Sequence, residues 1–310
     1  MSTGSFRNQT LSFLMQRFRE AGIRPHTKLG QNFLIDLNLV RLLLRTAELG
    51  PQDVVLEVGT GTGSLTHLLA SEAGAVVSVE VDRQLFQLAS EELQGLENVV
   101  MLQTDALKGK NHIHPLILEE VQRQLQAAPE RQWKLVANLP YNIATPLMMN
   151  LLALDRPPQT MAVTIQKEVA ERMIAQPGGK DYGALSIWIQ SQCQVELVRA
   201  MPPTVFWPRP KVHSAIVRVT LDDSLRGRIG DRRYFHDFIR AMFCHRRKFL
   251  RSELAIAFKD RVTKADIDEV YRRLQIAPEA RAEQLDVATV LALSEAMRPL
   301  GGHPGQAETV

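Results

Sequence analysis

DVVLEVGTGTGSLTHLL, residues 53–69, is the stretch whose reading decides the fold. It opens with DVVLEV (53–58), an almost unbroken apolar run, and passes through a glycine-rich turn into SLTHLL. Continuous apolar runs mark strands that are buried on both faces of a parallel sheet. Glycines at the turn let the backbone bend sharply and pass close to a ligand. Two further apolar runs follow, AVVSVE (75–80) and NVVMLQ (98–103), with helices predicted from Ser64 to about Glu72 and over 83–94. The pattern is β-α-β-α-β, so the predicted fold class is α/β, a Rossmann-like doubly wound sheet.

The same reading extends outward. Upstream, Asp36 is a candidate N-cap for a helix over 36–49 that carries Leu37, Val40, Leu43 and Leu44 on one face, and Gly50-Pro51 ends it. Downstream, strands are predicted over 133–138, 160–166, 194–201 and 214–221, with helices over 114–128, 145–154, 166–175 and from 184. PPTVFWPRPKV (202–212) is stiffened by proline and extended. From about residue 222 the texture turns helical, over 237–258, 265–275 and 287–297. Four segments are expected: a basic helical extension (1–25), a cofactor-binding domain (26–221), a small all-helical domain (222–300) and a flexible tail (301–310).

Charge separates these segments. The net charge is +3, but residues 1–30 carry +4 and residues 203–255 carry +7, which leaves −8 for the rest (3 − 4 − 7). Two basic segments on an acidic body point to a polyanionic partner. No apolar run reaches the roughly 18 residues that a membrane span needs. Cys193 and Cys244 stand at no metal-like spacing, and His112 and His114 have no cysteine or carboxylate cluster beside them, so no metal site and no disulfide framework are expected. Sparse cysteine suits a reducing cytoplasm. The Arg-bearing first 20 residues loosely fit a transit peptide, but Leu11–Ala21 reads equally well as an amphipathic helix.

The glycine turn, Gly59-Thr60-Gly61-Thr62-Gly63, resembles a dinucleotide loop, yet the strict spacing would require glycine where Ser64 stands. Glu57, just before the turn, would repel a pyrophosphate but not a sulfonium cation. Glu80 ends the second strand, where a carboxylate can accept from both ribose hydroxyls, and Asp105 follows the third, where it can accept from an adenine amine. The three together favour S-adenosylmethionine at the carboxyl ends of the strands.

Asn138-Leu139-Pro140-Tyr141 ends the fourth strand in the same crevice. The exocyclic amine of adenine is a poor nucleophile because its lone pair is delocalised. The Asn138 side-chain oxygen and the Leu139 carbonyl can hold its N–H groups and favour the charge that develops on nitrogen. Pro140 stiffens the loop and Tyr141 offers a ring for stacking. Phe206 could cover the other face of the base, or be a core aromatic under its loop.

On these residues the chain resembles the bacterial small-subunit ribosomal RNA adenine N6,N6-dimethyltransferases, from about Lys28 to about Leu285. The matching motifs are LGQNFL (29–34), EVGTGTG (57–63), VEVDR (79–83), NLPYN (138–142), QKEVAERM (166–173), YGALS (182–186), FWPRPKVHSAIVR (206–218) and RRKFLRSEL (246–254). The resemblance implies cofactor contacts through Asn32, Leu34, Gly59, Gly61, Glu80, Asp105 and Asn138. It implies handling of the target adenine by Asn138 and Tyr141 with Phe206 opposite, and phosphate contacts through Arg246, Arg247, Lys248 and Arg251. The implied substrate is a pair of adjacent adenosines in the 3′-terminal hairpin loop of small-subunit rRNA, dimethylated on the assembling 30S particle in the cytoplasm by a monomer. Two features depart from the family: threonines at 60 and 62, and a long segment at 107–132. Two other readings share the fold, a large-subunit rRNA adenine methylase conferring antibiotic resistance and a non-enzymatic assembly or transcription factor. A nicotinamide dehydrogenase is disfavoured by Ser64 and by the lack of a plausible hydride-transfer acid/base.

Overall fold

The structure is a computed structural model that describes residues 11–26, 29–109, 112–245 and 248–304, without the Phe13 side chain. The chain divides into two compact units, one running to Ala170 and taking in Glu196–Thr220, the other comprising Glu171–Val195 and the residues from Leu221 onward.

The first unit is built on the strands the apolar runs predict. They are β2 (Asp53–Val58), β3 (Ala75–Glu80), β4 (Val99–Gln103), β5 (Gln132–Asn138), β6 (Thr160–Gln166), β7 (Cys193–Met201) and β9 (Ser214–Leu221). The pair β1 (Phe33–Leu34) and β8 (Phe206–Trp207) lies apart as a two-stranded ribbon. The main sheet has the order β4-β3-β2-β5-β6-β9-β7. β4 to β6 are parallel, and β9 runs antiparallel to β6 from Thr160↔Thr220 to Gln166↔Ser214. Every residue of β2 and β3 is buried, which is why their sequences show no alternation.

Helices α1 (Leu11–Glu20), α2 (Leu37–Thr46), α3 (Ser64–Glu72), α4 (Arg83–Glu92), α5 (Pro115–Gln126) and α6 (Ala144–Ala153) accompany this sheet. Asp36 caps α2 as expected, accepting from Asn38 N and Leu39 N. The long 107–132 segment is a regular crossover: Leu107 bridges Ile113, and α5 buries Ile117, Val121 and Leu125. One buried charge anchors the unit. Lys134 Nζ donates to the carbonyls of Ala47 (3.2 Å) and Glu48 (2.7 Å) and to Asp53 Oδ2 (2.9 Å).

Helix α7 (Lys167–Ile174) leads into the second unit, which contains α8 (Ala184–Gln190), α9 (Asp223–Arg226), α10 (Arg232–Met242), α11 (Leu250–Ala257), α12 (Lys264–Arg273) and α13 (Val287–Gly301). The expected boundary at 221/222 is therefore incomplete, because 171–195 groups with the helices. Buried aromatics are the reason. Trp188 of α8 packs 4.8 Å from His236 and 6.3 Å from Phe235 of α10, and the Tyr182 hydroxyl donates to Leu285 O at 2.9 Å. The helical stretch read over 237–258 is broken between Met242 and Leu250. The tail expected from residue 301 starts after Gly301, and 305–310 fall outside the described residues, as do 1–10 of the N-terminal extension. Among the described residues no helix is long and apolar enough to cross a membrane.

Candidate functional site

Where β2, β3 and β5 end, their following turns diverge and leave a crevice of about 610 Å³, open to solvent on one side. Gly59, Gly61, Glu80, Asp105, Asn138, Leu139 and Pro140 all line it, as do Asn32 and Phe33 from the entry loop. Among the described residues, no lysine, arginine or histidine does.

The glycine turn is shaped by close approach. Gly59 and Gly61 sit at φ of 87° and 58°, a region that favours glycine. A Cβ on Gly59 would meet the Pro140 ring at 3.4 Å, and one on Gly61 would press on the Phe33 ring at 3.2 Å. The turn is held by Glu80, whose two carboxylate oxygens accept from Gly61 N and Asp82 N, each at 2.9 Å. Burial pushes the Glu80 pKa up, against the pull of these amides. Asp105 is exposed at the crevice edge and accepts from Leu107 N at 3.0 Å.

Glu57 has a different place from the others. It is 1% exposed and lines a second hollow beside the crevice, with Thr60, Thr62, Ser64, Leu34 and Leu14 of α1. Its Oε2 accepts from Thr66 (2.5 Å) and Ser78 (2.6 Å), while Oε1 has no partner. Burial pushes its pKa up to about 8, with the two hydroxyls opposing. Thr60, one departure from the family pattern, extends this network with a 2.6 Å contact between its hydroxyl and that of Ser78.

At the chemical end, Asn138 Nδ2 donates to Asn32 O at 2.8 Å. That bond fixes the amide and leaves the Asn138 Oδ1 available to a donor in the crevice. Leu139 N donates to Thr164 O, so the turn after β5 is tied to β6. The Tyr141 hydroxyl contacts the Ser214 hydroxyl on β9, which holds the ring, and burial raises the Tyr141 pKa.

Two expectations are revised, for Phe206 and Leu34. Phe206 is 1% exposed and packs with Val40, Leu43, Val136 and Ile216 in the core. Its pairing with Leu34 turns the side chain inward, so it does not present a face to a base. Leu34 itself lines the second hollow rather than the crevice. Arg251, partly exposed, forms a two-bond ion pair with Asp268 through Nε and Nη2, one bond at 2.6 Å. Lys248 is exposed, while Arg246 and Arg247 lie outside the described residues.

Sequence reasoning missed Phe33 and the cover that α1 gives. The Phe33 ring packs 5.1 Å from Phe18 of α1, edge to face, and Trp207 joins them at 5.4 Å from Phe18. A signal existed in the apolar spacing of Leu14 and Phe18, but only the fold shows what that face covers.

Comparison with known proteins adds to this geometry. The family model described as Ribosomal RNA adenine dimethylase matches residues 22–298. A protein of Moorella thermoacetica named Ribosomal RNA small subunit methyltransferase A is 38% identical over 282 residues, 90% of this chain and 95% of its own. Its namesake in Lactiplantibacillus plantarum is 40% identical over 278 residues, 89% of this chain and 91% of its own. The crystal structure of a dimethyladenosine transferase from Plasmodium falciparum superposes with a TM-score of 0.71 at 25% identity, covering 87% of this chain and 98% of the other. The 23S rRNA methyltransferase ErmE shares the fold, with a TM-score of 0.56 at 23% identity over 85% of this chain and 98% of its own.

Proposed function

This chain belongs to the ribosomal RNA adenine dimethylase family, and we propose from that premise that it dimethylates the N6 amines of two adjacent adenosines in the 3′-terminal hairpin loop of small-subunit rRNA. The observation that carries the reading is a crevice lined by Glu80 and Asp105, with no basic side chain among its described lining residues, that ends at Asn138-Leu139-Pro140. Such a lining fits a cation and disfavours a pyrophosphate. Val81, Leu85, Ala106 and Ile143 add apolar surface for a purine. Glu80 and Asp105 would hold the ribose and adenine of S-adenosylmethionine, with Asn32 and Gly59 beside its amino-acid end. When bound, S-adenosylmethionine supplies a methyl group on a positively charged sulfur.

The chain's own residues supply alignment. Asn138 Oδ1 and the Leu139 carbonyl accept the two N–H groups of the target amine and direct its lone pair along the crevice. They also stabilise positive charge as the N–C bond forms and the S–C bond breaks. The surplus proton then leaves the nitrogen, so no base needs to act before attack. Positioning of this kind contributes on the order of 7–11 kcal/mol in favourable systems. Tyr141, its hydroxyl tied to Ser214, offers a fixed ring to a base that has left its stack. Lys248 and its neighbours in sequence supply phosphate contacts on an assembling small particle, and the enzyme acts as a cytoplasmic monomer.

The test is methyl transfer from labelled S-adenosylmethionine into unmodified small particles, with large-subunit RNA in parallel and Asn138→Ala alongside. Label in small-subunit RNA with the unaltered protein alone supports the proposal. Label only in large-subunit RNA would move the assignment to a resistance methylase, and particle binding without transfer would indicate an assembly factor.

A further inference from the structure

We propose that Cys244, His245 and Glu253 bind one divalent transition-metal ion, zinc by ligand chemistry, which ties the end of α10 to the first turn of α11. Cys244 and His245 follow the end of α10, and Glu253 lies in the first turn of α11. Cys244 Sγ, a His245 ring nitrogen and a Glu253 carboxylate oxygen all lie within 4.8 Å of one another. Bonds of about 2.0–2.3 Å at tetrahedral zinc place neighbouring ligand atoms roughly 3.3–3.8 Å apart. Contacts near 4.8 Å would have to draw in, and the 2.9 Å pair of His245 Nδ1 and Glu253 Oε2 would have to open slightly, to complete the site.

Glu253 is the reason to expect a cation there. It is 3% exposed, and its Oε1 has no hydrogen-bond partner among the described residues. His245 Nδ1 lies 2.9 Å from Oε2, and Lys248 Nζ stands 4.0 Å from Oε1, at the limit of an ion pair. A buried carboxylate with one bare oxygen is costly. The contact with His245 satisfies Oε2 alone and does not involve Cys244. A metal ion would use all three groups, and thiolate plus carboxylate would neutralise its charge. Thiolate and imidazole select zinc over magnesium or calcium. Cys244 and His245 are exposed, so an ion can enter, and water can take the fourth position.

The ligands bracket residues 246–252, RRKFLRS, the most basic stretch of the second unit. The metal site stands without the rRNA reading. Sequence spacing gave no sign of the site because one ligand, a glutamate, lies eight residues beyond the histidine.

The experiment is titration of chelator-treated, full-length protein with cobalt(II) under reducing conditions, followed by displacement with zinc. One equivalent should bind with a thiolate-to-cobalt band in the near ultraviolet and tetrahedral bands in the visible. Cys244→Ser should abolish the near-ultraviolet band, and Glu253→Gln should weaken zinc at least tenfold. Circular dichroism checks folding, and exposed Cys244 serves as the variant if Glu253→Gln does not fold. Absence of the band in the unaltered protein, or its persistence in Cys244→Ser, would overturn the proposal.

Discussion

Replacing Glu57 by glutamine should flatten the pH dependence of folding stability between about pH 5 and 8. Glu57 is buried against Ser78 and Thr66, and burial raises its pKa from 4.5 to about 8. Below pH 4.5 the folded and unfolded chains both carry the proton. Above that value the unfolded chain loses it while the folded chain keeps it, so stability falls by about 1.4 kcal/mol per pH unit. Above about pH 8 both forms are ionised and the fall ends. The stability due to neutral Glu57 is thus fully present below pH 4.5 and lost as pH rises through 8. Between pH 5.5 and 7.5 the loss is on the order of 3 kcal/mol. Glutamine cannot titrate, so this loss disappears, while Glu80 titrates in both proteins. The assay is urea unfolding of the cofactor-free protein at half-unit pH intervals, with the difference between the two proteins plotted against pH. Glutamine can shift the whole curve by altering the unpartnered Oε1 position, so the slope of the difference is the quantity that matters. Parallel curves, differing by less than about 0.5 kcal/mol from pH 5.5 to 7.5, would refute the reasoning.

Other substitutions separate stability from chemistry. Lys134→Met leaves Asp53 and two carbonyls buried without their cation, so denaturant unfolding should show a loss of about 3–5 kcal/mol with cofactor affinity of the folded protein unchanged. Gly59→Ala forces a side chain into a left-handed turn and against Pro140; calorimetry should show cofactor affinity reduced at least tenfold in a folded protein. Asn138→Ala should lower kcat by about 10²-fold or more in single-turnover transfer, since it removes an acceptor for the reacting amine. Loss of its 2.8 Å bond to Asn32 should change cofactor affinity far less.

Much of this was legible in the sequence where one physical cause dominates. β2 and β3 fall where their apolar runs predict, because burial on both faces imposes those runs. Glu80, Asp105 and Asn138 were readable because chain direction in a parallel sheet brings strand ends to one edge. The rest depended on distant partners. A two-residue strand has no period, so the pairing of Leu34 with Phe206, which turns Phe206 inward, left no mark. The partner of Arg251, Asp268, lies 17 residues on in the next helix and could not be read from the sequence. Residues 171–195 look like part of the α/β pattern, and only the packing of Trp188 on His236 and Phe235 assigns them to the helical unit.

The most direct test of the central claim is to identify and map the modified nucleosides. Small-subunit RNA from unmodified particles, treated with the protein and S-adenosylmethionine, would be digested and analysed by mass spectrometry. N6,N6-dimethyladenosine is expected at two adjacent positions of the 3′-terminal hairpin loop, absent with Asn138→Ala. Dimethyladenosine elsewhere, or none in RNA that the folded protein binds, would contradict the claim.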